Sequence, residues 1–174
     1  MDQTFIPAPN DKIGDPGPLR DGFRAAMGNV STPVSVVTSF DGNPHGTTVS
    51  AFASLSMEPP MVLVALDRNS NLLKVVQRTH RFALNILARD QGRLGLKFAV
   101  KGDDKFSDVA WDLERELPRI EGCSGWVACE VDSIVSGGDH EVLLGHVKAV
   151  AHSPSDPLTY HRGTFGTHAP TPND

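Results

Sequence analysis

Residues 46–67, GTTVSAFASLSMEPPMVLVALD, constrain this chain more than any other stretch. A strand pattern over 47–51 leads into small and hydroxyl residues that include Ser54 and Ser56. A double proline follows, then a second strand pattern over 61–66. Side chains alternate across a strand, so Thr48 and Ser50 share one face and Thr47, Val49 and Ala51 the other. A core strand puts apolar bulk on its inner face, yet here one face is small and polar. Either that face meets water, or a ligand that exchanges hydrogen bonds lies against it. Both readings fit the stretch taken alone.

At 174 residues the chain reads as one domain, long enough to bury a core without staples. A net charge of −5 and the absence of a basic stripe argue against a nucleic-acid partner. No apolar run reaches the length of a membrane span, and the N-terminus lacks a signal peptide's basic start and apolar middle. We therefore expect a cytoplasmic protein with no membrane partner. Cys123 and Cys129 fall in what reads as one strand, about 20 Å apart at ~3.3 Å per residue, too far for a disulfide. They are expected to be reduced and structural, in neither a redox pair nor a zinc knuckle.

Residues 1–18 are proline-rich with little apolar periodicity and read as a flexible leader; residues 169–174 read as a tail. The domain between them spans 19–168. Leu19, Phe23, Ala26 and Met27 make one apolar stripe on a short helix stopped by Gly28, and this helix is expected to plug an end of the strand assembly. Residues 34–39 form a β-branched strand, and Asp41-Gly42-Asn43-Pro44 turns it into an antiparallel hairpin with the strand at 47–51. Ser70 is placed to cap a helix carrying Leu72, Leu73, Val75 and Val76. Residues 81–87 read as a strand with Asn85 inside an apolar run, an amide that needs a backbone or a ligand partner. A helix over 90–99 precedes a charged loop at 101–106. The segment to Pro118 reads as irregular, anchored by Trp111. Long strands at 126–135 and 141–151 are joined by Gly137-Gly138-Asp139-His140, and a short one closes the chain at 158–161. Six or seven strands joined mostly by turns, with two or three short helices, indicate a mainly β antiparallel barrel and not a parallel sheet.

Several catalytic signatures are missing: the Walker loop, the Rossmann fingerprint, H-E-x-x-H and the nucleophile elbow. His140, His146 and His152 recur every six residues, but on one extended strand neighbours in that series lie about 20 Å apart, so no shared metal is expected. What remains is a set of polar residues near strand ends: Thr48, Ser50, Ser54, Ser56, Ser70, Asn71, Asn85, Lys105 and His140. The pieces FRAAMG (23–28), VSVVTS (34–39), HGTTVSAFASLSMEPPMVLVALDRNSN (45–71), RFALNIL (81–87), KFAVKGDDKF (97–106), GDHEVLLGHV (138–147) and PLTYHRGTF (157–165) follow one another in the order of a known family. The chain resembles the flavin reductase-like family, the small NAD(P)H:flavin oxidoreductases that serve two-component monooxygenases.

The resemblance implies a Greek-key split β-barrel with a few short helices. It also implies a homodimer, flavin (FMN or FAD) in a groove near the dimer interface, and NADH or NADPH as electron donor. Carried over by position, Thr48, Val49, Ser50 and Ala51 would line the isoalloxazine edge through backbone groups. Ser54, Leu55 and Ser56 would reach the ribityl chain and ring, and Ser70 and Asn71 the phosphate, with Lys105 as a supporting charge. Asn85, Ile86 and Leu87 would contact the ring from a neighbouring strand. His140 would lie beside the nicotinamide and act in catalysis, with Tyr160 at the rim of the nicotinamide site. Two departures from the family pattern stand out: Asn69-Ser70-Asn71 holds fewer hydroxyls than the usual Ser/Thr run, and Pro33 replaces a common glycine.

The lack of catalytic machinery suits this chemistry, in which hydride passes from nicotinamide to flavin and the cofactors carry the reaction. The protein has to hold two rings about 3–3.5 Å apart and offer donors to the reduced flavin. Reduced flavin would then reach a partner monooxygenase by diffusion. Two other roles fit the same barrel: a flavoprotein that keeps its flavin and passes electrons elsewhere, and a non-catalytic flavin-binding or scaffold protein. A colourless protein that binds added flavin separates the first role from the second. Failure to bind flavin leaves the scaffold.

Overall fold

The computed structural model describes residues 17–102 and 104–172. Helix α1 (Gly17–Met27) comes first, followed by strands β1 (Thr32–Pro33), β2 (Ser35–Phe40), β3 (Pro44–Val49), β4 (Phe52–Met57) and β5 (Pro60–Asp67). Helix α2 (Asn71–Thr79), strand β6 (Arg81–Ile86) and helix α3 (Gly92–Ala99) follow. The chain ends with β7 (Trp111–Glu114), β8 (Leu117–Ile120), β9 (Gly125–Gly137), β10 (His140–His152), β11 (Leu158–His161) and β12 (Thr164–Thr167). The expected mainly β architecture is what forms.

The stretch around residue 50 closes the structure. Seven strands pair antiparallel in the order β3-β2-β6-β9-β10-β5-β4. The two ends of that order, β3 and β4, are consecutive in the chain and separated only by Ser50 and Ala51. One bent length of chain therefore hydrogen-bonds β2 with its first half and β5 with its second, and the Ala65 amide donates to the Ala51 carbonyl at 2.9 Å beside the bend. A sheet whose two edge strands are one bent segment curls into a split barrel, in which β4 pairs with β5 alone and keeps its other side open. The small residues Ser50 and Ala51 stand at the bend. The run 52–57 that reads as small and hydroxyl residues is thus a strand, and the Glu58–Pro59 peptide bond in the turn after it is cis.

The barrel is filled by Val37, Val64, Leu66, Phe82, Leu84 and Leu143, each nearly or fully buried, and α2 lays Leu72, Leu73 and Val76 against this core. Burial of each such side chain contributes about 1.5–3 kcal/mol. At Gly145 a Cβ would stand 2.7 Å from the Phe82 ring, so only glycine lets β10 pass over that ring. A bulge at Leu144/Gly145 sets Asp132 out of register and shifts the alternation of β9.

Four sequence expectations change here. Residues 111–120 form a hairpin, β7–β8, which covers the outer face of β6 and β9. Trp126 and Ala128 are buried under it while Cys129 faces the barrel interior, so the first half of β9 is apolar on both faces. Cys123 precedes β9, and only Cys129 lies on the strand; both are free, with thiols pushed up to about 12 by burial. Helix α1 plugs nothing. None of its residues is buried, and Phe23 and Met27 are exposed. A further strand pair, β11–β12, joins β1 in a small separate sheet, where Pro33 sits opposite Thr159. Of the expected leader, 1–16 lies outside the described residues, and Gly17 and Pro18 already belong to α1; of the tail, 173–174 lies outside as well.

Candidate functional site

A long groove of about 1010 Å³ runs along the bent strand. One wall is the chain from Asn43 to Ala51, and the other comprises the end of β5 and the polar face of α2, with Asp67, Asn69, Ser70, Asn71, Lys74 and Arg78. Lys101, Lys105 and Phe106 contribute from the loop after α3, and His140 stands at the opposite end.

Each wall has a local cause. Gly46 lets β3 touch α3, since a Cβ there would meet the Phe98 ring at 2.9 Å. The Thr48 hydroxyl donates to the Gly95 carbonyl of α3 at 2.6 Å and the Ser35 hydroxyl to the Val49 carbonyl at 2.9 Å, which pins the strand from both sides. The polar face read from Thr48 and Ser50 is thus divided: Thr48 is spent on α3, while Ser50 is exposed to the groove. The loop carrying Lys105 is held by edge-on rings, Phe98 to Phe106 at 5.0 Å and Phe106 to Trp111 at 5.5 Å. Lys105 Nζ donates to the carbonyls of Phe98 (2.9 Å) and Gly46 (3.3 Å), and burial holds its ammonium below the ordinary lysine range. It therefore braces the groove as well as lining it.

Ser70 precedes α2 in an extended conformation at the N-cap position, yet its side chain makes no capping bond, and no acidic residue occupies the first turn. The hydroxyl and the helix's positive end thus remain available to an anion. His140 opens β10 opposite Asp67 of β5, and its Nδ1 pairs with Asp139 Oδ1 at 2.7 Å. That pairing holds the Asp139 carboxyl below the usual carboxylate range. The contact fixes the ring's orientation and leaves Nε2 to other partners.

The structure brings Thr48, Val49, Ser50, Ala51, Ser70, Asn71, Lys105 and His140 to one groove. It leaves seven expected residues outside, and the first three lie on β6 and just after it. Asn85 is fully buried; its Nδ2 donates to the Val36 carbonyl (3.2 Å), the Thr38 hydroxyl (3.1 Å) and the Pro118 carbonyl (3.4 Å), and its Oδ1 accepts from the Ile120 amide (2.8 Å). Both ends of the amide are engaged within the fold, and complete burial keeps it from a ring in the groove. It ties the β7–β8 hairpin to the barrel instead. The carbonyls of Ile86 and Leu87 accept from the amides of Ser124 and Leu158 respectively, and the Leu87 side chain is in the core. Ser54 and Leu55, on edge strand β4, face solvent in the single chain, with Ser56 half-buried beside them. Tyr160 packs edge-on against Phe165 at 5.4 Å in the small sheet.

Sequence reasoning missed Asn43, His45, Asn69, Lys74, Arg78 and Lys101. The signal for two of them was present: Ser70, Lys74 and Arg78 are spaced by four and share a helix face. Among the described residues no group of three His, Cys, Asp or Glu side chains is placed to hold a metal ion. No helix among them is long and apolar enough to cross a membrane.

The donor set suits a flavin, with backbone amides and the Ser50 hydroxyl along one wall and an open helix end plus cations on the other. Comparison with known proteins agrees. The model of the flavin reductase like domain matches residues 27–169. The reductase component of a 4-nitrophenol 4-monooxygenase/4-nitrocatechol 2-monooxygenase from Rhodococcus opacus is 36% identical over 152 residues, covering 87% of this chain and 82% of the relative. An FMN reductase (NADH) from Agrobacterium fabrum is 34% identical over 164 residues, covering 92% and 94%. The solved NADH:FAD oxidoreductase of Streptomyces globisporus C-1027, in complex with NAD and FAD fragments, superposes with a TM-score of 0.84 at 29% identity, covering 92% of this chain and 99% of that one. Some relatives are longer, and the chain spans 50% of two of them. Fold and groove together define a split-barrel flavin oxidoreductase. The chain belongs to the flavin reductase-like family.

Proposed function

We propose that this chain reduces FMN or FAD with NADH or NADPH and releases the reduced flavin to a partner monooxygenase. The observation that carries the reading is the open groove between the bent strand and α2, where backbone groups, an uncapped helix end and His140 converge without a nucleophile or metal set. Flavin and nicotinamide supply the redox chemistry between them: NAD(P)H and one proton convert flavin to dihydroflavin and NAD(P)⁺. The chain's own residues do the rest. Backbone groups of residues 48–51 hold the flavin edge, Ser70 and Asn71 take its phosphate at the helix end, and Lys105 adds positive charge. His140, oriented by Asp139, positions the nicotinamide.

The exposed apolar side chains Leu55 and Met57 on β4 support a homodimer formed across that edge, which would also enclose Ser54 and Ser56. Replacing His140 with Ala tests the site directly. It is expected to raise the KM for NADH several-fold while the flavin dissociation constant shifts by less than twofold. An unchanged KM removes His140 from the nicotinamide site.

A further inference from the structure

Two turns meet at the His140 end of the groove, and each carries a group that the flavin reading uses. The first, Asp67 to Ser70, leaves β5 and ends at the open N-terminus of α2. The second joins β9 to β10 and ends on His140. Each is closed within itself. Asp67 Oδ1 accepts from the Asn69 amide at 2.6 Å, and the Asp67 carbonyl from the Ser70 amide at 2.9 Å. In the second turn Gly138 takes φ +67° and His140 pairs with Asp139. The Arg68 amide donates to the Asp139 carbonyl at 3.1 Å and joins the two turns through the backbone.

One carboxylate adds a side-chain link. Glu141 stands opposite both Leu66 of β5 and Ser136 of β9. Opposed residues on neighbouring strands share a face, and Leu66 is in the core, so Glu141 leaves β10 on the barrel's inner face. Arg68 Nε donates to its Oε1 at 2.9 Å, and the Ser136 hydroxyl lies 3.2 Å from each of its oxygens. The Glu141 side chain is 18% exposed and that of Arg68 47%. A carboxylate so covered needs its donors. They reach it from the two sides: Arg68 from the first turn, Ser136 from the strand that enters the second.

Neither Arg68 nor Glu141 lines the groove. The first turn nevertheless sets where Ser70 and the start of α2 stand, and the second sets His140. Transfer between two rings is steep in geometry: a misplacement of about 1 Å costs on the order of 100-fold in rate. We propose that Glu141 is a positioning residue for hydride transfer, holding the Ser70 turn and the His140 turn at a fixed spacing through Arg68. The proposal rests on the flavin reading of the groove.

The test compares wild type with Arg68→Ala, Glu141→Ala, the double variant and Glu141→Gln. It reads kcat, the KM for NADH, the flavin dissociation constant, and the long-wavelength charge-transfer absorbance of NAD⁺ against reduced flavin, which reports ring stacking. Arg68 is exposed, so Arg68→Ala is expected to fold and keeps the test decisive where a Glu141 variant does not. Each single Ala variant is expected to lose about tenfold in kcat and to weaken the charge-transfer absorbance, while KM and the flavin dissociation constant stay within about threefold. The double variant falls no further than the worse single, because the pair acts as a unit. Glu141→Gln, whose amide oxygen still accepts from both donors, recovers most of the loss. A kcat within about twofold of wild type in Arg68→Ala overturns the proposal, as do losses that multiply in the double variant. So does a fall in kcat with the charge-transfer absorbance intact, which marks a merely structural role. In each of these cases a wild type that turns over with added flavin leaves the flavin reading standing. A wild type that binds no flavin refutes that reading and the proposal with it.

Discussion

Two parts of this barrel set polar side chains among apolar ones and treat them in opposite ways. Under the β7–β8 hairpin, Asn85 spends both ends of its amide on four partners and is wholly buried. Along the groove, Ser70 caps nothing, Ser50 is open, and Lys74 and Lys101 face solvent. A buried polar group left unbonded costs about 1–3 kcal/mol, so the closed cluster has to be saturated by the fold itself. The open one escapes that cost through exposure to water, and its donors stay available to a ligand.

The sharpest way to break this distinction is Asn85→Ala, which leaves the Ile120 amide buried without its acceptor. Denaturant unfolding is expected to show a loss of roughly 2–3 kcal/mol, while the folded fraction binds flavin with unchanged affinity. Weakened flavin binding without a stability loss would return Asn85 to the ligand. Gly46→Ala probes the seam between the two regimes. A Cβ would meet the Phe98 ring at 2.9 Å, and the strained contact is expected to cost about 1–2 kcal/mol and to displace the groove wall, so that flavin affinity falls as well. Stability lost without affinity would show that this wall does not touch the flavin. Smallest in stability is Ser70→Ala. A capping serine is worth about 1 kcal/mol, but this hydroxyl makes no cap bond, so the loss is expected to stay below about 0.5 kcal/mol. FMN should nevertheless bind about fivefold more weakly, as for one lost hydrogen bond, with riboflavin, which has no phosphate, unaffected. Equal effects on FMN and riboflavin would move the phosphate elsewhere.

The barrel was legible because strand periodicity and turn residues are local signals. The hairpin at Asp41-Gly42, the helix after Ser70 and the two long strands all stand within a few residues of where the pattern puts them. What failed was non-local. Nothing in 52–57 shows that this run pairs with β5, because Phe52 alone of its apolar side chains packs on the core while Leu55 and Met57 are exposed. The hairpin at 111–120 buries Trp126 on a face that alternation alone would leave to solvent. Asn85 illustrates the limit at the site. Its sequence setting demanded a partner, but only the fold shows that the partners are Val36, Thr38, Pro118 and Ile120. The stripe of α1 was read correctly as a stripe, yet the single chain supplies nothing to cover it.

The central claim is that the open groove serves flavin as a substrate. NADH and NADPH oxidation by the purified protein, measured with and without added FMN or FAD, tests it most directly. The account predicts turnover that requires free flavin and saturates with its concentration. No oxidation of either nucleotide at saturating flavin would contradict it.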